Sequence, residues 1–162
     1  MFTKTVALSA VLLAAATLQA EAHATIQPML GLTRTPVRSD AIRPSDSTPC
    51  GNVNIAQTFD TSTTIAVKAD RTFTATITNF NAGVDGSREI VKASFDPTGT
   101  GNAFQDLKII TNGQHAPTAA TGSEQLLFQL RHGLDCKGGK NGKKCLVAFK
   151  TAGGFGNCVV VE

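Results

Sequence analysis

The stretch that decides the fold is Thr72-Phe73-Thr74-Ala75-Thr76-Ile77-Thr78-Asn79. Apolar and hydroxylated side chains alternate along it, so Phe73, Ala75 and Ile77 share one face and the threonines share the other. Strict alternation over such a length is typical of a β-strand with one face buried. Sheets with one apolar and one polar face are usually antiparallel. The stretch therefore predicts an antiparallel β-protein.

Short β-rich segments lie on both sides of this strand. The further predicted strands are Ala24–Leu30, Thr63–Lys68, Glu89–Phe95, Leu107–Thr111, Gln125–Leu130, Cys145–Lys150 and Cys158–Val161. Turn residues separate them, and no segment carries apolar residues at helical spacing over three turns. Eight evenly punctuated strands predict an all-β fold, an immunoglobulin-like antiparallel β-sandwich with little helix.

Residues 31–49 interrupt this pattern. They carry three prolines and three arginines among small polar residues, namely Pro36, Pro44, Pro49, Arg34, Arg38 and Arg43. This composition predicts a long surface loop. Loops of such length often carry function, although an ordinary crossing between two sheets explains the segment equally well.

The N-terminal segment has the features of a secretory signal peptide. Lys4 precedes an apolar run, Val6–Leu18, and the small residues Ala20 and Ala22 fit the cleavage pattern. Cleavage would divide the chain into a signal peptide, residues 1–22, and one domain, residues 23–162, whose length suits a single core. No later apolar run reaches the roughly 20 residues of a membrane span. We therefore expect a secreted protein, extracellular or in the cell wall, without membrane insertion.

The charge of the chain does not favour a nucleic-acid partner. Fifteen Lys and Arg against 12 Asp and Glu give a formal net charge of +3. The dense cluster of lysines lies between Cys136 and Cys145, with glycines and no aromatic residues between them, which is typical of a solvated loop. We expect a monomer that does not bind nucleic acid.

The four cysteines, Cys50, Cys136, Cys145 and Cys158, all follow the predicted cleavage site. An even number in an exported chain predicts two disulfides, for which three pairings exist. We favour Cys136–Cys145, because the Lys- and Gly-rich segment between them can close a short loop, and this leaves Cys50–Cys158. The second bridge would stabilise the fold by about 4 to 5 kcal/mol if chain entropy dominates. A zinc site is disfavoured because no Cys-x-x-Cys pair occurs.

Four segments carry a family resemblance. They are the leader ending before His23, the tripeptide Pro49-Cys50-Gly51, the turn Asn81–Gly86 and the ending Gly153–Val161. Together they resemble a fungal family of secreted, appressorium-associated virulence proteins of the powdery mildew and rice blast type. The resemblance implies an extracellular role in virulence or host-surface penetration, with no assigned biochemical activity. Family members carry a histidine just before the turn where this chain has Thr78, which weakens a metal role.

A histidine at the start of a mature β-sandwich also resembles the lytic polysaccharide monooxygenases. That resemblance implies copper held by the amine and ring of His23, a third ligand from His115 or His132, and Phe155 as the axial residue. Nitrogen ligands in one plane suit copper in either oxidation state. Each residue also has an ordinary interpretation, since His115 falls in a predicted turn, His132 just past a strand, and Phe155 in a segment that can join the core.

Signatures of other catalytic classes do not occur in the sequence. The chain has no Gly-x-Ser-x-Gly elbow, and it lacks the Trp and Tyr residues that usually stack on sugars. Our leading hypothesis is a non-catalytic secreted protein that binds a cell-wall polysaccharide or a host surface component and needs no cofactor. The alternative is a copper-dependent polysaccharide monooxygenase-like protein that uses His23.

Overall fold

In a computed structural model, which describes residues 23–162, the chain forms a sandwich of two β-sheets. The strands are β1 (Ala24–Gln27), β2 (Thr64–Ile65), β3 (Thr72–Asn79), β4 (Ile90–Asp96), β5 (Gln105–Asp106), β6 (Lys108–Thr111), β7 (Gly122–Gln129), β8 (Cys145–Thr151) and β9 (Cys158–Val161). One sheet has the order β1-β3-β7-β6 and the other β2-β9-β8-β4-β5. The predicted all-β sandwich is confirmed, whereas the predicted signal peptide, residues 1–22, lies outside the described residues.

Strand β3 is the centre of the four-stranded sheet, as its alternating sequence indicates. It pairs with β7 over its whole length, from Thr72 opposite Gln129 to Asn79 opposite Gly122. Phe73 is fully buried and stacks on Phe128 of β7, with 5.4 Å between ring centroids. The side chains that point inward from both sheets form the main hydrophobic core.

Several strand predictions needed correction: of Thr63–Lys68 only Thr64–Ile65 is a strand, and the strand predicted over Gln125–Leu130 spans Gly122–Gln129. Strand β1 ends at Gln27 instead of Leu30, because Pro28 has no N–H to donate and the chain then crosses to the other sheet, where the Leu30 N–H donates to the carbonyl of Cys158 at 2.8 Å. The sandwich has nine strands among the described residues instead of the eight predicted. The additional strand, β5, has two residues, which is too short to produce a periodic signal.

The pair β2–β9 departs from the antiparallel prediction. Thr64 lies opposite Val160 and Ile65 opposite Val161 in parallel register, while the other strand pairs are antiparallel. Residue alternation predicts that a segment is extended but carries no information about the direction of its partner. The partner here is 96 positions away for both pairs, so only the tertiary structure decides the direction.

Leu30, just before the long loop, and the segment that follows the loop cover the outer face of the five-stranded sheet. Leu30, Cys50 and Phe59 pack there against side chains of β8 and β9, and these residues form a second buried cluster. A one-turn helix, α1 (Ile55–Thr58), lies in this segment, and the side chain of Asn54 caps it by accepting from the N–H of Gln57. Both faces of this sheet are therefore shielded over β8 and β9, which explains their nearly continuous apolar sequences.

The two predicted disulfides are confirmed. Cys50 is bonded to Cys158 and Cys136 to Cys145, with Cα atoms 5.0 and 4.9 Å apart. The first bridge ties the covering segment to β9, and the second closes the lysine-rich loop before β8. None of the helices in residues 23–162 has the length and apolar character needed to cross a membrane. The two disulfides are compatible with a secreted protein.

Candidate functional site

A groove of about 440 Å³ opens on the outer face of the four-stranded sheet. Gln27 of β1 and Thr74 and Thr76 of β3 form part of its lining, on the face opposite the core. Strand β1 ends at Gln27, opposite Thr76. Beyond that position β3 pairs only with β7 among the described residues, and residues 32–36 and 63–65 form the walls of the groove on its free side.

Hydroxyl groups dominate the lining of the groove. Six threonines contribute to it, namely Thr33, Thr35, Thr63, Thr64, Thr74 and Thr76. Of these six hydroxyls, only that of Thr76 forms a hydrogen bond with another part of residues 23–162, accepting from Nε2 of Gln125 at 2.7 Å. The other five hydroxyls can donate to and accept from a ligand, because a hydroxyl carries one donor and two acceptor sites.

Arg34 is the charged residue in the lining, and Asp40 neutralises it. The two guanidinium nitrogens of Arg34 donate to the two carboxylate oxygens of Asp40 at 2.6 and 2.8 Å. These bonds, together with the N–H of Val37, lower the pKa of Asp40 below its ordinary value. The two-bonded geometry fixes Arg34 in place, so the groove is formally neutral and its walls are polar or apolar.

The structure brings together two of the four residues that the copper resemblance implies. The ring of His23, which is buried, stacks on the ring of Phe155 with 5.0 Å between centroids and 28° between planes. The guanidinium carbon of Arg43 lies 4.0 Å from the centroid of the same Phe155 ring. Phe155 thus lies beside His23, but it is also buried and in contact with a cation.

The other two histidines have different surroundings. His132 follows β7 at the Thr72 end of β3, whereas His23 lies at the Asn79 end, about 23 Å along the strand at ~3.3 Å per residue. His115 is exposed, and its Nδ1 lies 2.5 Å from a carboxylate oxygen of Glu89. No group of three or more His, Cys, Asp or Glu side chains in residues 23–162 is placed to hold a metal. The position of His132 therefore does not fit a copper site built on His23.

The turns that carry the family resemblance pack against one another. A Cβ atom at Gly153 would lie 2.9 Å from the carbonyl oxygen of Asp85, so the two turns touch through their backbones. His23 lies at the same end of the sandwich, where its carbonyl accepts from the N–H of Phe80 at 2.8 Å. Gly86 and Gly153 therefore have a structural role, since close backbone contact at these two positions leaves no room for a side chain.

Sequence reasoning missed the groove, although part of its signal was visible. The threonines of β3 were predicted to form a hydroxylated face, and Thr74 and Thr76 do so. Thr33 and Thr35 lie in a loop without a periodic pattern, and Thr63 and Thr64 lie at the start of β2, whose position beside β3 the sequence does not indicate. Only the fold brings them beside β3.

No protein-family model matches the chain, and searches of curated proteins and of solved structures found no significant match. The resemblance to the fungal family and the resemblance to the monooxygenases both stay predictions.

Proposed function

We propose that the protein is a secreted, non-catalytic binding protein for a neutral polysaccharide of the cell wall or of a host surface. The role is the one implied by the resemblance to fungal appressorium-associated virulence proteins. The observation that supports the proposal is the threonine-lined groove beside β3, in which the charge of Arg34 is neutralised by Asp40. Its volume of about 440 Å³ lies in the usual range of ligand sites.

The chemistry of the groove suits a neutral sugar chain. Sugar hydroxyls would exchange hydrogen bonds with the threonine hydroxyls and with the amide of Gln27, each bond contributing about 1 kcal/mol. Pro28, Leu32 and Ile65 supply apolar surface for the C–H faces of the sugar rings. The chain has no Trp or Tyr to form a stacking platform, so hydrogen bonds within a groove would replace the flat aromatic contact.

A paired substitution on β3 tests the proposal. Thr74→Val combined with Thr76→Val removes two hydroxyls at nearly constant volume, and we expect binding to chitin, β-glucan or cellulose to weaken at least tenfold. Thr111→Val, an exposed threonine of β6 at the far edge of the same sheet, is the matched control. Each of the three polymers is incubated with protein that begins at His23, and the fraction of the protein that binds to the polymer is measured.

The proposal fails if the wild-type protein binds none of these polymers, or if the control loses as much binding as the paired variant. Thermal unfolding distinguishes a loss of ligand contacts from a loss of stability in the paired variant. Since valine favours strands as well as threonine does, the paired variant should keep the melting temperature of the wild type.

A copper protein centred on His23 is the alternative function. The stacking of His23 on Phe155 favours it, and the separation of His23 from His132 is against it. Calorimetric copper titration of protein beginning at His23, beside protein with one extra residue before His23, tests this alternative. Tight binding in the first protein alone would support it, and equally weak binding in both would eliminate it.

A further inference from the structure

Two lysines face one another on the outer side of the five-stranded sheet. Lys92 of β4 lies directly opposite Lys150 of β8 in the strand register. Like charges in this position repel one another. Asp46, from the long loop, places a carboxylate oxygen 2.8 Å from the Lys92 ammonium. The hydrogen bond from Lys92 and the positive charges of Lys92 and Lys150 hold the pKa of Asp46 below its ordinary value.

A cavity of about 280 Å³ adjoins this group of charges. Pro44, Pro49 and Phe104 supply its apolar surface. Ser94 and Asp106 also line it, and they lie opposite one another on β4 and β5. The cavity therefore has a cationic end at the two lysines and a hydrogen-bond-accepting end at Asp106, with apolar surface as well.

We propose that this cavity, which is separate from the threonine-lined groove, binds a uronic-acid residue of an acidic polysaccharide. The sugar carboxylate takes the place of the Asp46 carboxylate at Lys92 and Lys150. The sugar hydroxyls face Ser94 and Asp106, and the C–H face of the ring contacts Phe104.

The chain's own carboxylate indicates where the carboxylate of a ligand binds. Asp46 is 84% exposed and Lys92 is 56% exposed, and an ion pair at such exposure contributes little to stability. A ligand that also buries apolar surface can therefore displace it. At the lysine end of the cavity, two ammonium groups face one carboxylate, Asp46, so this end carries excess positive charge for an incoming anion, while Asp106 lies at the other end.

The arrangement favours a sugar acid over a more highly charged anion. A ligand with a single carboxylate meets both lysines at one end, while its neutral hydroxyls can donate to the Asp106 carboxylate at the other. A polyphosphate or a strongly acidic peptide would place negative charge near Asp106, which is unfavourable at short range. The dimensions agree, because the cavity is close to the lower limit of small-ligand sites.

Binding of a tetrasaccharide that carries one glucuronic-acid residue, compared with a neutral glucose tetrasaccharide, tests the proposal by calorimetry at low salt. We expect the acidic sugar to bind, and Lys150→Gln and Lys92→Gln each to weaken its binding about tenfold, as expected for loss of a charged contact. Asp46→Asn should tighten binding severalfold, because the internal competitor is removed.

The matched control is the double variant K140Q/K143Q in the exposed lysine-rich loop. It removes two charges that lie away from the cavity, so it measures the non-specific attraction of the acidic sugar to a positively charged surface, which is screened by salt. If K140Q/K143Q and K150Q lost equal amounts of affinity for the acidic sugar, the proposal would be overturned. A failure of the wild type to bind the acidic sugar would also overturn it. The variant T74V/T76V, which alters the threonine-lined groove, should leave the affinity for the acidic sugar unchanged, so the two proposals can fail independently.

Discussion

The side-chain amide of Asn157 hydrogen-bonds with both backbone polar groups of Ile26. The Ile26 N–H donates to Oδ1 of Asn157 at 2.8 Å, and Nδ2 of Asn157 donates to the Ile26 carbonyl at 2.9 Å. Ile26 is in β1 of one sheet, and Asn157 immediately precedes β9 of the other. One side chain, 1% exposed, thus acts as a strand partner for the edge of β1 and joins the two sheets.

Asn157→Ala should therefore destabilise the fold by about 3 kcal/mol, because it leaves buried backbone groups of Ile26 without partners. Urea denaturation measures this change. Asn102→Ala, at an exposed turn position, is the control and should change the free energy of unfolding by less than about 0.5 kcal/mol. A loss at Asn157 no larger than that of the control would contradict the bridging role.

The two disulfides should contribute unequally to stability. The Cys50–Cys158 bridge spans a sequence separation of 108, and the Cys136–Cys145 bridge a separation of 9. If loop-closure entropy dominates, replacing the first pair by alanine costs about 4 to 5 kcal/mol and replacing the second about 3 kcal/mol. Urea denaturation of the two double variants compares them, and a larger loss for the short loop would rule out an entropic origin.

Asp96 should make stability dependent on pH in the acid range. Burial raises the pKa of Asp96, but hydrogen bonds from Thr98 and from the N–H groups of Ala103 and Gly101 outweigh it, so the net change is downward. A carboxyl whose pKa is lower in the folded state stabilises the fold above its unfolded pKa of about 4. That stability is lost as the pH falls through the lower, folded pKa.

The variant Asp96→Asn should accordingly be less stable than the wild type at pH 6, and the difference should narrow at pH 3. Denaturation curves at the two pH values provide the measurement. Asp85→Asn, at an exposed turn residue, is the control and should leave the pH dependence as it is. A constant difference between Asp96→Asn and the wild type across this range would show that the Asp96 charge is not responsible.

Gly156→Ala should be strongly destabilising. A Cβ atom at Gly156 would lie 1.9 Å from the carbonyl oxygen of Phe149, so the β8–β9 connection would have to move, and we expect a loss of about 3 kcal/mol or more. At Gly142 a Cβ atom meets nothing within 4 Å, although φ is +67°. Gly142→Ala should then cost about 1 kcal/mol, from the backbone conformation alone, and similar melting temperatures for the two variants would refute the close contact.

Some elements could be predicted because their signal is local. The alternation in Thr72–Asn79 and the apolar run Cys158–Val161 gave two strands with the bounds that the structure has. The favoured disulfide pairing was also correct, because a short flexible loop between Cys136 and Cys145 decided it. The two-residue strand β5 and the end of β1 were missed or misplaced, since both depend on neighbours that are distant in the sequence.

The candidate sites were harder to predict than the fold. Thr74 and Thr76 were recognisable as surface residues of β3, but their loop partners were not. Lys92 and Lys150 lie 58 positions apart in the sequence, and only the β4–β8 register makes them neighbours. For the predicted copper site, sequence reasoning grouped residues that the fold separates. His132 has a suitable side chain, but it lies at the far end of the sheet from His23.

The sequence by itself therefore determined the extended conformation and the faces of the strands, which depend on side-chain periodicity, and it favoured the observed cysteine pairing because a short loop can close easily. The tertiary structure alone decided the strand order, the parallel β2–β9 pair, the neutral threonine-lined groove and the lysine pair with Asp46. These features depend on which distant segments pack together. Which segments pack together depends on the total apolar surface that the whole fold buries, and no local pattern of residues indicates it.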